Sequence, residues 1–400
     1  TVLKHLGARV APFLPRRVEE GYGLSPEGLE RCLTTCAPRL IVTVDCGTSS
    51  GAVVEMARKA GVDVVVTDHH EASGPLSEAV AVVNPRLGGT PASLSLAGVG
   101  VAFKFCHALL KQGRDRDCAR AGALDLRQYL DLVAAGTVAD VVPLVDENRI
   151  LVRYGLQRMN KTGNIGLRAL IEIADIREEI NAYHLGFVIG PRLNAAGRLA
   201  SAGAALDLLM EADAGRAAAL AKDLDSANRE RRQIEDAIRL EAEQEIDAGF
   251  RVGETFGIVA GRRGWHIGTV GIVASRLCGK YRRPAVVIGF DEDGHGRGSC
   301  RSIEEIDLMD VLRGCAELLT TFGGHKMAAG VGIEEGRLGA FQSRFNELCG
   351  ERLKGRDLRR VQRVDAWIGL GEADTRLFKA IQQLQPFGLG NPAPIFGVRG

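Results

Sequence analysis

The sequence predicts an α/β protein: a parallel-sheet domain over residues 1–210, a connecting helix over 211–249, a smaller α/β domain over 250–355, and a turn-rich, β-type region over 356–400. Three observations carry this. Leu40-Ile41-Val42-Thr43-Val44 is a continuous apolar, β-branched run, the mark of a strand buried on both faces. Helical spacing follows at Val53, Val54, Met56 and Ala57, and then a second apolar run, Val62 to Thr67. Finally, a long helical pattern from Glu211 to Asp247 has no Pro and no Gly except Gly215, and ends at Ala248-Gly249; a helix this long and polar is expected to bridge two domains.

The elements follow in order. Ala79 to Val83 completes a third strand, stopped by Asn84-Pro85. Strand, helix, strand at this spacing makes a right-handed parallel crossover, and such sheets bind ligands beyond the carboxyl ends of their strands. Asp45-Cys46-Gly47 and Asp68-His69-His70 therefore belong at one edge. Helices are expected over 97–112, 126–138, 166–174, 180–189 and 201–210. In the second domain Phe256–Val259, Ala285–Ile288 and Gly296–Arg301 read as strands, and Ile267–Cys278, Leu308–Leu319 and Leu338–Leu348 as helices.

Composition excludes some functions. The 400 residues are 46% hydrophobic and 25% charged, ordinary for a globular chain, and no apolar run is long enough to span a bilayer. Lys+Arg (51) balances Asp+Glu (50), so any nucleic-acid surface must be local. Aromatics are 5%, which gives no sign of a broad base-stacking platform. Nine scattered cysteines without a C-x-x-C argue against a disulfide framework or a zinc site and fit a reducing cytoplasm. The basic run Asn228-Arg229-Glu230-Arg231-Arg232 reads as a solvated helix face.

The chemistry concentrates where strands and helices end. Asp68-His69-His70 directly follows a strand, Asp45 ends its neighbour, and Asp140 closes the apolar helix before Val141-Val142-Pro143. A mixed oxygen and imidazole set with small neighbours suits Mn²⁺ or Mg²⁺ better than the Cys-rich sets of structural zinc. Cys46, beside this edge, is expected to be structural.

These strings in this order resemble the DHH phosphoesterase family, and longer ones narrow the match to its RecJ-type exonucleases. They are Arg17 to Leu24, Leu96 to Ala102, Gly190-Pro191-Arg192-Leu193-Asn194-Ala195-Ala196-Gly197-Arg198, Trp265 to Arg276, and Phe322-Gly323-Gly324-His325. The resemblance implies a DHH catalytic domain and a DHH-associated domain, with an OB-like region beginning near Pro386–Pro394. It implies a two-metal site in which Asp45 bridges the ions and His69 and Asp140 ligate one, with Asp68 orienting the histidines and His70 facing the scissile phosphate. Ser299 and Arg301, helped by Arg17, would hold a 5′ phosphate. Arg192, Asn194, Arg198, His266, Gly323, Gly324 and His325 would contact the strand in a groove between the domains. The implied activity is 5′→3′ hydrolysis of single-stranded DNA to mononucleotides in repair and recombination. Single-strand-binding protein and a helicase are the implied partners, with no membrane.

The family's Asp-x-Asp first motif should lie upstream of Thr1, and Thr1 to Gly7 reads as the end of a helix already under way. The chain as given is therefore expected to be impaired. The rivals are a DHH phosphodiesterase acting on short oligonucleotides and a non-catalytic DNA-binding scaffold.

Overall fold

The computed structural model describes residues 1–16, 20, 23–72, 74–199, 202–359 and 361–399, so Arg17 and the side chain of Arg198 lie outside the described residues. The chain divides into two compact units, Thr1–Ala227 with Arg363–Gly400, and Asn228–Gln362. The first division falls inside the long helix rather than at either of its ends.

The first unit opens with α1 (Val2–His5), α2 (Pro26–Cys36) and a parallel sheet of β1 (Leu40–Val44), β2 (Asp63–Thr67) and β3 (Ala81–Val83), ordered β1-β2-β3, with α3 (Gly51–Lys59) as the first crossover. Pro26 stands at the start of α2, and the Ser25 hydroxyl accepts from Gly28 N–H at 3.1 Å, a helix-start signal the sequence carries plainly. Leu29, Val53, Val54 and Ala57 of the two helices close over Val64 and Val66. β1 departs from expectation. Leu40 and Val44 are exposed, because β1 occupies an edge of this sheet instead of its middle.

Helices follow: α4 (Gly98–Asp115), α5 (Ala119–Ala123), α6 (Leu130–Ala139), α7 (Asp146–Met159), α8 (Ile165–Ile173), a π-turn (His184–Ile189), α9 (Gly190–Leu199), α10 (Gly203–Met210) and α11 (Ala214–Gly249). Their core gathers Leu144, Val152, Met159, Leu170, Leu185 and Leu208. Gly155 lets α7 touch α6: a Cβ there would come within 2.3 Å of Leu130 O. The sequence reading missed α7, whose apolar stripe is diluted by Arg149, Arg153 and Arg158, and α9, which contains Gly190, Pro191 and Gly197.

The expected helix over 180–189 forms, but His184–Ile189 is widened into a π-turn, for a local reason. Pro191 has no N–H to give Phe187 O four residues back, and its ring crowds that carbonyl. The chain widens, and Gly190 N–H reaches Leu185 O five residues back.

The second unit is a mixed sheet of β4 (Ile258–Arg263), β5 (Ala285–Phe290), β6 (His295–Arg301), β7 (Thr321–His325) and β8 (Ala328–Glu334), ordered β4-β5-β6-β8-β7. Only β4 and β5 pair in parallel. α12 (Val270–Tyr281), α13 (Leu308–Arg313) and α14 (Leu338–Leu353) complete it around Val287, Ile288, Leu277, Phe341 and Phe345. The glycines of β7 and β8 hid both strands from the sequence reading. The helix expected over 308–319 stops at Arg313, where Gly314 follows. Buried Glu235 of α11 takes Arg231 and Arg276, each at 2.7 Å, so the basic run is partly an internal ion-pair network rather than a solvated face.

Residues 363–400 form β9 (Ala366–Ile368), α15 (Thr375–Gln382) and β10 (Phe396–Val398), with the two strands parallel. These two short strands are the only strands that the described residues of the expected OB-like region show. The Pro386–Pro394 segment instead lies on the Asp140 loop: Leu144 N–H donates to Leu389 O at 2.7 Å, and Gly388 and Gly390 pack on Leu144 and Pro143. Among the described residues no helix is long and apolar enough to cross a membrane.

Candidate active site

The register Val44↔Thr67 sends Asp45 and Asp68 off neighbouring strands at one edge. Asp45 N–H still donates to Thr67 O at 2.9 Å, and the chain then turns sharply, with φ 69° at Asp45 and 113° at Gly47. A Cβ on Gly47 would press to 3.2 Å from Val66. Thr43 Oγ1 ties the turn by donating to Cys46 O at 2.7 Å. Burial pushes the Cys46 thiol up to about 11, with Asp68 and Asp45 adding to the rise, so it is a neutral thiol.

Asp68 is the hub. It is buried, and its Oδ2 accepts from Thr48 N–H at 3.0 Å. Its Oδ1 accepts from the backbone N–H groups of His69 (2.8 Å) and His70 (3.2 Å) and from the His70 ring Nδ1 (2.7 Å). Burial alone would raise its pKa, but these bonds, led by His70, hold the carboxyl well below the usual range. An ionised Asp68 fixes the proton on His70 Nδ1 and leaves Nε2 for other chemistry. The same pairing raises the His70 pKa. Asn84 supports the turn from β3, donating to Thr48 Oγ1 at 2.8 Å and His70 O at 2.9 Å. Asp68→Asn should lower activity 10–100-fold, about what loss of a ligand-orienting partner costs, with a smaller change in substrate affinity. Equal kcat in the variant and the parent would remove Asp68 from this role.

His69 points the other way. Its ring is buried, with Nε2 at 3.0 Å from Asp45 Oδ1 and 3.4 Å from Asp140 Oδ2, yet Nε2 makes no hydrogen bond of sound geometry to either. Cis ligands on an octahedral ion with bonds of ~2.1 Å lie about 3.0 Å apart. The spacing therefore fits three ligands converging on one cation. Asp45, His69 and His70 present ligand atoms that all lie within 4.8 Å of one another. Burial raises the Asp140 carboxyl, His69 lowers it, and Asp45 adds to the rise. This is the pattern of carboxylates gathered without their counter-charge.

Two features hold the carboxylates. Val141, a β-branched residue, follows Asp140 with φ 59°, a backbone outlier beside a site residue. Gly98, the first residue of α4, leaves the space Asp45 fills: a Cβ there would sit 2.3 Å from Asp45 Oδ1 and 2.8 Å from Asp45 Cβ. Sequence reasoning assigns Gly98 no role; a glycine opening an apolar helix is the available signal.

The second unit holds a separate cradle. Ser299 pairs with Gly330, and Gly330 with Gly323; Arg301 pairs with Ala328, and Ala328 with His325. Cross-strand partners and residues two apart share a face. Ser299 and Arg301 therefore stand at one side of a floor made by Gly330, Ala328 and Gly323, with His325 at the other. A Cβ on Gly323 would meet nothing within 4 Å, and one on Gly330 only Gly298 O at 3.9 Å. The start of α12 closes the Ser299 side: a Gly271 Cβ would lie 3.1 Å from Ser299 Oγ and 3.3 Å from Arg301 Nη2. Arg301 Nη1 donates to Ser299 Oγ at 2.8 Å. A guanidinium, a hydroxyl and a helix N-terminus over an open glycine floor form an anion tray. Phe322 to His325 thus lie on an edge strand, and Gly324, at φ 148°, leaves no room for a side chain: a Cβ there would meet Ala328 O at 2.5 Å. Gly330 and exposed Arg297 were missed.

Other expected substrate residues are placed differently. Arg192 donates from Nε to buried Asp225 at 2.9 Å and from Nη1 to Val188 O, which fastens α9 to α11. Asn194 is exposed. His266 Nδ1 accepts from Gly268 N–H at 3.1 Å and shapes the turn that opens α12.

A strand-edge cluster of carboxylates and imidazoles in one unit and an anion tray in another define a phosphoesterase-type, divalent-metal protein. Comparison with known proteins agrees. Residues 1–137 match the DHH family, N-terminal domain, and residues 254–351 the DHHA1 domain. The single-stranded-DNA-specific exonuclease RecJ of Bacillus subtilis is 38% identical over 401 residues, covering 98% of this chain and 48% of that protein. The RecJ of Escherichia coli is 40% identical over 408 residues, covering 98% of this chain and 70% of that protein. A crystal structure of Thermus thermophilus RecJ in complex with Mn²⁺ superposes with a TM-score of 0.83 at 34% identity, over 99% of this chain and 56% of that one. The chain belongs to the RecJ group of the DHH family, and it spans about half the length of the Bacillus subtilis relative.

Proposed function

We propose that this chain carries the nuclease core of a metal-dependent exonuclease that hydrolyses single-stranded DNA from a 5′ end and releases mononucleotides. The observation that carries the proposal is His69 Nε2, buried between Asp45 and Asp140 and hydrogen-bonded to neither. Asp45, His69 and Asp140 would hold Mn²⁺ or Mg²⁺, with Asp45 shared between two ions. Such ions supply an activated water and neutralise charge on the phosphate during in-line displacement. His70, fixed through Nδ1 by Asp68, presents Nε2 to a non-bridging phosphate oxygen. Ser299, Arg301 and His325 grip a terminal phosphate, and the open floor admits it. Anchoring the end while the next linkage is cut would give 5′ polarity. Arg17, Asn194 and Arg198 remain candidates for strand contact, and His266 acts by setting the start of α12. We also propose work in DNA repair and recombination in the cytoplasm, alongside single-strand-binding protein and a helicase, as the family resemblance implies.

The test is Mn²⁺-dependent nucleotide release from 5′-labelled single-stranded DNA. It compares the chain as given with a form extended before Thr1 by the family's Asp-x-Asp strand, each with a His70→Ala control. The expected result is activity in the extended form that His70→Ala lowers by roughly 10²–10⁴-fold. A form that binds DNA but cuts under no divalent metal would make this a binding scaffold. Faster turnover of dinucleotides than of long strands would assign the short-oligonucleotide reaction instead.

A further inference from the structure

Tyr183 and Phe187 are large aromatic side chains, and both are nearly two-thirds exposed. Their rings stack on each other at 5.1 Å between centroids with 26° between planes. Leaving two aromatic rings in water is unfavourable, and neither packs into the core of the unit. They stand on the helical segment that the π-turn widens, four residues apart. The turn is held against the end of α6: a Cβ on Gly186 would lie 3.4 Å from Val138 Cγ1, and one on Gly190 3.4 Å from Ala139 Cβ. The next residue, Asp140, is the proposed metal ligand. The aromatic pair is thus built onto the element that buttresses the metal site. Asn194, exposed on the continuation of the same helix, adds a polar group further along.

We propose that Tyr183 and Phe187 form a stacking platform for a nucleobase of the single strand. Asp140 and its neighbours would act on the backbone while the rings hold a base flat and unpaired. Base–aromatic stacking tolerates any base, because every base has a π-face. The platform therefore suits an enzyme that must read through sequence. Exposed and prestacked, the rings need no rearrangement to accept a third ring. This inference rests on the nuclease reading above and extends it to a base-binding subsite outside the metal cluster and the phosphate tray.

The experiment measures binding of 2-aminopurine-labelled single strands in Ca²⁺, scanning the label along the strand, with Tyr183→Ala, Phe187→Ala, Phe187→Leu and Tyr183→Trp. The parent should quench the fluorophore at one or two positions. Each alanine variant should abolish that quench and weaken binding roughly tenfold. Phe187→Leu, which keeps apolar volume, should lose the quench as well, and Tyr183→Trp should keep it. A single abasic site at the quenched position should cost the parent the same factor and the alanine variants nothing more. The side chains are exposed, so melting temperatures should not move. Unchanged quenching and affinity in both alanine variants would overturn the proposal. So would a change in sedimentation without a change in DNA binding, which would make the pair a protein contact. A parent that binds no single-stranded DNA would overturn the nuclease reading itself, whereas a parent that binds and cuts with no label quenched at any position would overturn only the stacking proposal.

Discussion

Gly98→Ala is expected to cost this protein its metal site and leave its fold intact. The backbone at Gly98 is helical, and alanine is the better helix former by up to ~1 kcal/mol. The three atoms nearest the new methyl group all belong to Asp45, whose carboxylate occupies its place, with Oδ1 at 2.3 Å and Cγ at 2.7 Å from it. Asp45 cannot yield by swinging its terminal oxygens alone, because its Cβ is also within 2.8 Å. The turn at Asp45 must open, and His69 Nε2 then loses the carboxylate that stands 3.0 Å away. Loss of a supporting contact of this kind costs 10–100-fold in metal affinity. The readout is the rise in melting temperature on adding Mn²⁺. A saturating ligand at a hundredfold excess over Kd contributes about 2.7 kcal/mol. Half or more of that rise should vanish in Gly98→Ala, while the metal-free protein melts where the parent does. Gly122→Ala is the control, since its methyl would meet nothing within 4 Å. An unchanged Mn²⁺ response in Gly98→Ala would place the metal somewhere other than between Asp45 and His69.

That Asp45, His69 and Asp140 would meet was legible in the sequence because these proposed ligands are tied to element ends. Asp45 and Asp68 each follow an apolar run, and parallel pairing brings such ends together without further information. Asp140 was found for the same reason, as the residue that closes α6. Residues whose function is to be small were not legible. Gly98 and Gly330 have no side chain to suggest chemistry, and their roles exist only through Asp45 and through Ser299 on other elements. The strands β7 and β8 were invisible because glycine weakens every strand signal. Arg192 illustrates the opposite case. Its charge suggested a phosphate, and only the fold shows that it also pairs with buried Asp225.

Two of the seven described non-glycine residues with positive φ, Asp45 at 69° and Val141 at 59°, sit at or beside the carboxylates of the proposed metal site. Each costs of order 1–3 kcal/mol and persists only where surrounding contacts fix it. At Asp45 those contacts are the Thr67 hydrogen bond and the Gly98 gap. At Val141 they include the Pro143–Val145 loop, over which the 388–390 segment lies. Carboxylates that repel one another in the absence of a cation need such enforcement, so strain and charge clustering are one feature seen from two sides.

Gly330→Val should abolish use of the 5′ phosphate and leave the second unit as stable as before, or more so. Gly330 is exposed, and a side chain there has room: its Cβ would touch only Gly298 O, at 3.9 Å. Valine favours strands, whereas glycine weakens them by roughly 0.5–1 kcal/mol. The sheet therefore has no reason to resist. The added branches stand in the row between Ser299 and Gly323, where the proposed phosphate must lie. Displacing a reacting group by ~1 Å can cost about a hundredfold in rate. In the form extended before Thr1, a 5′-phosphorylated strand should be cut faster than a 5′-hydroxyl strand. In Gly330→Val that preference should disappear, with the 5′-hydroxyl rate little changed and the Mn²⁺ response intact. Gly323→Val, next in the same row, should behave alike. If both variants keep the 5′-phosphate preference, the glycine floor does not receive the strand's end, and Ser299 and Arg301 serve the sheet rather than the substrate.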